Sequence, residues 1–129
     1  MRRQSQKHRQ RSQEAKPVRD ALREEVGYCE CCGHDPGRVK FGRIGWVFHV
    51  HEIARGVNRL KALDKRFALL VVCFPCHDEL GSREEWPEAR QLAALRKSRP
   101  HDYDLAAYLT LKNPRAPNAI TQSEVDAFA

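Results

Sequence analysis

Apolar residues near the start of the chain recur with the spacing of one helix face, at Val18, Ala21, Leu22 and Val26. This period predicts an amphipathic helix over residues 14–26, with Pro17 in its first turn, where the missing N–H group costs little. The preceding residues, 1–13, are polar and show no period, so we expect a basic disordered tail there.

Two apolar runs follow in the middle of the chain, the first rich in Val, Ile, Phe and Trp and the second with the sequence FALLVV. Their clearest parts, residues 46–53 and 67–72, predict two β-strands. Beyond them, the Ser-x-x-Glu sequence at residues 82–85 has the form of a capping box and predicts that a helix begins there. We therefore expect an α+β domain over residues 14–100, in which helices flank a small sheet, and a helical extension over residues 101–129.

The length of 129 residues suits one domain with tails, and a hydrophobic content of 41% allows a small core. No apolar run reaches the length of about 18 residues that a transmembrane helix needs, and the polar start lacks the apolar segment of a secretory signal. These features predict a cytoplasmic protein with no membrane partner. Because thiols stay reduced in the cytoplasm, clustered cysteines are expected to bind metal rather than to form disulfides.

Basic residues outnumber acidic ones by 23 to 17 and give a net charge of +6. The first 13 residues contain five Lys or Arg and no acid. A second cluster, opposed only by Asp64, comprises Arg55, Arg59, Lys61, Lys65 and Arg66. Such clusters favour a polyanionic partner, and nucleic acid is the usual one, although an ordinary solvated surface can have the same composition.

Five cysteines include two Cys-x-x-Cys pairs, Cys29/Cys32 and Cys73/Cys76. Each pair places two thiolates on one turn, and two pairs complete the four ligands of a tetrahedral structural zinc site. Cys31 is left over because it has no partner at this spacing. A redox-active Cys-x-x-Cys is the competing interpretation, but a second pair in so small a domain favours zinc. The 40 residues between the pairs leave room for a functional insert.

His49, His51 and Glu52 lie in the first predicted strand, and His77 directly follows Cys76. Since alternate residues of a strand share a face, the two strand histidines should point together and Glu52 away from them, unless a bend at the strand end brings it round. Two histidines and a carboxylate beside a basic loop can hold a divalent ion for phosphodiester hydrolysis. They can equally be half-buried structural residues, and His77 can be an alternative zinc ligand.

Four segments follow one another along the chain, namely CECCG, HVHEIARG, FALLVV and CFPCHDEL. Together they make the chain resemble the zinc-knuckle branch of the HNH endonuclease family over about residues 27–80. The short chain is similar to the small stand-alone HNH proteins of phage and prophage genomes. The resemblance implies a ββα-metal core, in which a β-hairpin and a helix hold one catalytic divalent ion, Mg²⁺, Mn²⁺, Ni²⁺ or Zn²⁺. It also implies that the four-cysteine zinc only cross-links the scaffold.

The resemblance implies a position in the site for each candidate residue. His51 falls at the family's metal-ligand position, and His77 at its closing metal-ligand histidine. Glu52 falls where the family usually has the histidine that acts as general base. A carboxylate has a low reference pKa, about 4.3, and is the weaker base near neutral pH unless burial raises that pKa. Glu52 then either takes the proton or binds the ion, and in the second case His49 or His51 serves as the base.

The central asparagine of the family is missing from its usual slot, which Ala68 occupies here. Asn58, the one asparagine between the two cysteine pairs, lies ten residues earlier. With these departures, the resemblance implies a metal-dependent DNA endonuclease that nicks or cuts both strands with weak sequence preference. The residues expected to contact the DNA backbone are the basic ones of the loop, Arg55, Arg59, Lys61 and Lys65. The alternatives are a non-catalytic zinc-knuckle DNA-binding module and an accessory protein of phage packaging that works with terminase.

Overall fold

The computed structural model describes residues 6–33, 48–55, 58–82, 84–112 and 120–129. Within these ranges, the elements in chain order are α1 (Gln6–Val26), β1 (His49–Glu52), α2 (Asn58–Ala62), β2 (Leu69–Val72), α3 (Phe74–Glu79), α4 (Glu88–Ser98), α5 (Leu105–Lys112) and α6 (Gln122–Asp126). A 3₁₀ turn (Arg66–Ala68) leads directly into β2. The predicted combination of helices with a small β-sheet is confirmed.

Strands β1 and β2 pair antiparallel, with His49 opposite Val72. All four residues of β2 are buried, which explains why its sequence is a continuous apolar run. Both strands are shorter than predicted. Residues 67–68 belong to the 3₁₀ turn, and the part of the first prediction at 46–47 lies outside the described residues. Helix α2 and the 3₁₀ turn lie between the two strands in the chain, and a single residue, Cys73, separates β2 from α3.

Helix α1 begins at Gln6, so eight residues of the expected disordered tail are helical, while its first five lie outside the described residues. A tertiary contact helps to account for the difference, because Arg11 donates a hydrogen bond to the Asp64 carboxylate at 3.0 Å. Pro17 consequently lies inside the helix rather than in its first turn. There it removes the hydrogen bond that its own nitrogen would donate to the carbonyl of residue 13.

Helix α4 begins at Glu88, with Pro87 as its N-cap residue. The predicted capping box at residues 82–85 does not start this helix. Instead, the carbonyl of Ser82 accepts a hydrogen bond from the Trp86 amide at 3.0 Å, within a separate turn. Because a residue that precedes proline is disfavoured in the helical region, Trp86 interrupts the helix and delays its start.

A cluster of buried apolar side chains joins the sheet to the helices. Each helix contributes at least one member: Leu22 from α1, Ala62 from α2, Cys76 from α3, Leu92 from α4, Tyr108 from α5 and Val125 from α6. This shared core fixes the hairpin and α3 relative to the surrounding helices. Of the helices within the described ranges, none combines the length and apolar character that a membrane crossing needs.

Candidate metal centre and adjoining histidine cleft

The two Cys-x-x-Cys pairs meet in space. The Sγ atoms of Cys29, Cys32, Cys73 and Cys76 all lie within 4.8 Å of one another. The distance between the Sγ atoms of Cys32 and Cys73 is 3.9 Å, and none of the cysteines forms a disulfide. Four thiolates about 2.3 Å from a tetrahedral zinc ion are separated from each other by about 3.8 Å. The cluster therefore has the spacing of a structural metal site.

Local backbone geometry explains why each pair faces the same point. The first pair lies on a turn closed by Gly33, whose amide donates to the Cys29 carbonyl at 2.8 Å and whose φ of +77° suits glycine. The second pair straddles the start of α3, where the His77 amide donates to the Cys73 carbonyl at 2.9 Å. Cys76 thus lies about one helical turn from Cys73, which brings the two thiols close together.

Glu30 fastens the turn of the first pair to strand β2. Its amide donates to the Val71 carbonyl at 2.8 Å, and its carboxylate accepts a hydrogen bond from the Val71 amide at 2.7 Å. Arg99 donates to the same carboxylate at 2.8 Å, and both charged side chains are almost completely buried. Since Val71 lies two residues before Cys73, these contacts hold the two cysteine pairs side by side.

The electrostatics of the thiol cluster favour a bound cation. A hydrogen bond from the Cys31 thiol lowers the pKa of Cys29 to about 3, although burial opposes the shift. Burial and the neighbouring thiols raise the pKa of Cys76 above its ordinary value. The cluster alone thus stabilises one thiolate and opposes others, and a divalent cation would remove that opposition. Cys31 itself is half-buried and does not belong to the group of four.

Three histidines form a second cluster beside the cysteines. The ring centroid of His77 lies 5.1 Å from that of His49 and 5.4 Å from that of His51. The two strand histidines therefore share a face, as the alternation predicts. Two imidazoles that share one ion at about 2.1 Å place their ring centroids roughly 5 Å apart, so either pair has suitable spacing for a divalent ion.

Glu52 does not join this cluster as a third metal ligand. Among the described residues, no group of three ligand atoms within 4.8 Å combines Glu52 with the histidines, and the three histidines do not form such a group by themselves. The Glu52 carboxylate instead accepts hydrogen bonds from Arg19 at 2.8 Å and from Arg59 at 2.5 Å. Burial opposes its ionisation, but the charge of Arg19 and the hydrogen bond of Arg59 outweigh burial and lower the pKa of Glu52. This makes Glu52 a weak proton acceptor.

The two strand histidines are held in the neutral form near pH 7. His51 is buried, which lowers its pKa to about 4, and its Nε2 atom lies 2.9 Å from Oε1 of Gln91. Burial also lowers the pKa of His49, with smaller contributions from His77 and Arg23. A neutral imidazole keeps one lone pair, which can bind a metal ion or accept a proton.

A cleft of about 370 Å³ connects His49 and His77 with Glu52, and the buried His51 is not among the residues that line it. Its charged and imidazole lining comes from α1, β1, α2 and α3, namely Arg19, Arg23, His49, Glu52, Arg59 and His77. Three guanidinium groups against one carboxylate give the cleft a positive lining that suits an anionic ligand.

Of the four basic residues expected to contact DNA, Arg59 alone is among those that line this cleft. Arg55 donates to the Leu80 carbonyl at 2.6 Å, while Lys61 and Lys65 are exposed elsewhere on the surface. Arg59 itself has a side chain that is 69% exposed, so it can reach a ligand. DNA contact by the other three residues stays a prediction.

Sequence reasoning missed the contributions of Arg19, Arg23 and Gln91. The two arginines are four residues apart and so lie on one side of α1, but nothing in the sequence indicates that this side faces β1. Gln91 is a polar residue on the otherwise apolar, buried face of α4, and that mismatch was the available signal. Ala68 is fully buried, so the family's asparagine slot carries no polar side chain here.

Comparison of the chain with protein-family models, with curated proteins and with solved structures finds no match.

Proposed function

We propose that this protein is a metal-dependent endonuclease that hydrolyses phosphodiester bonds of DNA, on a ββα-metal core of the HNH type. The observation that carries the proposal is the cleft in which two neighbouring histidines, His49 and His77, meet three arginines. The antiparallel pairing of β1 with β2 and the start of α3 just after β2 support such a core, with α2 and the 3₁₀ turn inserted between the two strands. A DNA phosphate fits the charge of the cleft.

His51 and His77 would hold the catalytic ion, Mg²⁺, Mn²⁺, Ni²⁺ or Zn²⁺, because their rings have suitable spacing and His51 is neutral. When bound, a divalent ion stabilises negative charge on the phosphate and on the leaving oxygen. The four-cysteine cluster would hold a separate structural zinc ion, which cross-links the knuckle to the start of α3 and so fixes the backbone next to His77.

His49 is the residue we assign as general base. It lines the cleft, it is only half-buried, and its lowered pKa keeps its lone pair available. In this mechanism a water molecule loses a proton to His49 while its oxygen forms a bond to phosphorus, and the bond from phosphorus to the leaving oxygen breaks. Glu52, which the family pattern makes the base, instead orients Arg19 and Arg59 toward the phosphate.

A plasmid-nicking assay tests this function. Zinc-loaded protein is incubated with supercoiled plasmid and Mg²⁺, Mn²⁺ or Ni²⁺, beside His49→Ala, His51→Ala and His77→Ala. We expect the wild type to nick and the three variants to lose most activity. The matched control is His101→Ala, since the His101 side chain is 62% exposed and lies outside the cleft lining. Failure of the wild type to nick with every ion, or equal nicking by His77→Ala, would contradict the proposal.

A non-catalytic DNA-binding module is the second candidate. It is favoured by the lack, within the described ranges, of a third ligand that converges with His51 and His77. The same assay distinguishes the two, because a binding module would retard DNA on a gel without cutting it.

Glu52→Gln tests the role assigned to Glu52. As an orienting residue, Glu52 should affect DNA affinity more than the pH dependence of cleavage, whereas a general base would change that pH dependence.

A further inference from the structure

Gln91 is a completely buried amide on α4, and both ends of its side chain have partners. Its Oε1 atom lies 2.9 Å from Nε2 of His51, and its Nε2 group donates to the Trp86 carbonyl at 2.8 Å. A buried amide stabilises the fold only when its hydrogen bonds are made, so this position requires both partners.

The Trp86 carbonyl fixes which way the Gln91 amide points. If the amide were reversed, its oxygen would face the Trp86 carbonyl oxygen at 2.8 Å, and two acceptors would be buried against each other. The amide oxygen must therefore face His51. Because an amide oxygen only accepts hydrogen bonds, the His51 ring has to donate from Nε2.

We infer that Gln91 is a positioning residue, which holds His51 in the tautomer with its proton on Nε2 and leaves the lone pair on Nδ1 for a divalent ion. The consequence for metal binding rests on the proposed function, in which His51 is a ligand. Partners of this kind orient a histidine ligand and raise its basicity, and their loss typically weakens metal binding about 10- to 100-fold.

The tautomer can be measured without any nuclease assay. In ¹⁵N NMR spectra of the zinc-loaded full-length protein at neutral pH, we expect His51 to show a protonated Nε2 and an unprotonated Nδ1. A second equivalent of Zn²⁺, added as the probe, should shift the Nδ1 resonance. A His51 ring with its proton on Nδ1 would overturn the inference, whether or not the protein cuts DNA.

Three variants complete the test. Gln91→Met removes the acceptor, so we expect faster exchange of the His51 Nε2 proton and Zn²⁺ affinity reduced about 10- to 100-fold at the second site. Gln91→Glu keeps an acceptor for His51 but loses the hydrogen bond to the Trp86 carbonyl, so a folded Gln91→Glu protein should retain more Zn²⁺ affinity than Gln91→Met. Gln13→Met is the matched control, because Gln13 is an exposed residue of α1. Unchanged Zn²⁺ affinity in a folded Gln91→Met protein would contradict the positioning function. The expected NMR result in a protein that never nicks would support the inference about Gln91 and overturn the nuclease.

Discussion

Two buried carboxylates of this protein, Glu30 and Glu52, each bind arginines, but they serve different parts of the molecule. Glu30 and its partner Arg99 are both almost completely buried and join the turn of the first cysteine pair to β2. Glu52 is equally buried, but its partner Arg59 is largely exposed. The first pair is therefore part of the scaffold, whereas the second presents a guanidinium group to the cleft.

Arg99→Ala should strongly destabilise the protein. Removing one partner of a buried ion pair leaves an uncompensated charge, here on Glu30, which typically costs about 3–5 kcal/mol. Urea unfolding of the zinc-loaded protein measures this change. Arg96→Ala is the matched control, since its partner Asp126 is 54% exposed and such a pair contributes less than about 1 kcal/mol. Similar losses in both variants would show that burial of the Glu30 pair is unimportant.

Asp102 should contribute a pH-dependent part of stability. Burial opposes its ionisation, but hydrogen bonds and charges from Arg66 and Arg99 outweigh burial and lower its pKa below 3.8. A carboxyl group with a lowered folded-state pKa stabilises the fold above its unfolded pKa, and this stabilisation is lost as the pH falls through the folded pKa.

The measurement for Asp102 is a comparison of unfolding free energies of wild type and Asp102→Asn at several pH values. The difference should be largest above about pH 5 and shrink at lower pH, because the wild-type carboxyl is then protonated too. Loss of metal in acid affects both proteins, so it does not produce the difference. A difference that stays constant down to acid pH would contradict the assigned pKa shift.

At the scale of single residues, the sequence predicts the contacts that follow from the spacing of residues within one motif or one strand. Two Cys-x-x-Cys pairs predict a metal site, and alternation along a strand predicts that His49 and His51 lie together. The sequence does not identify the partners of Glu52 and His51. Arg19 and Gln91 reach them from helices 33 and 40 residues away in the chain, and only the packing of those helices creates the contacts.

Among the secondary-structure elements, α1 departs most from the sequence-based prediction, and Pro17 divides it. The residues before Pro17 are held partly by the contact of Arg11 with Asp64, whereas Leu22 beyond it enters the core. Composition predicts disorder for a polar, basic segment, since such a segment has little apolar surface to bury. A contact with a distant part of the chain supplies stability that no local pattern contains.

Pro17→Ala should raise the stability of the first half of α1. Proline inside a helix costs about 3 kcal/mol relative to alanine, and alanine restores the missing hydrogen bond to residue 13. Hydrogen exchange of the amides before and after position 17 measures this effect. In the wild type we expect faster exchange before Pro17 than after it, and the variant should reduce that difference.

Pro87→Ala is the control for that experiment, because Pro87 is the N-cap of α4 rather than an interior residue. It should leave exchange in α1 unchanged. Equal protection on both sides of Pro17 in the wild type would show that the proline does not weaken the helix.

For the whole molecule, the four-cysteine cluster should make folding depend on metal. It joins residues 41 positions apart, Cys32 and Cys73, and so cross-links the two ends of the segment that contains β1 and β2. Cys73→Ser should abolish stoichiometric zinc binding and lower the melting temperature sharply, as should a strong chelator. Cys31→Ser should keep one zinc ion per chain, because Cys31 lies outside the group of four.

Elemental analysis and thermal unfolding of the two cysteine variants test this dependence. Zinc content near zero in the wild type would contradict a structural zinc site. Loss of zinc in Cys31→Ser with retention in Cys73→Ser would show that the ligand set is a different one.

The contact of Arg19 with strand β1 also affects which segment of this protein can be used in an engineered fusion protein. The two cysteine pairs and the segments that resemble HNH proteins lie within about residues 27–80, which suggests that this stretch could be excised as a separate module. Such a module would lack Arg19, whose guanidinium donates to Glu52 and to the Val50 carbonyl at 2.9 Å, and it would lack Gln91. The smallest portable unit must therefore extend from α1 through α4, well beyond the boundaries that the motifs suggest.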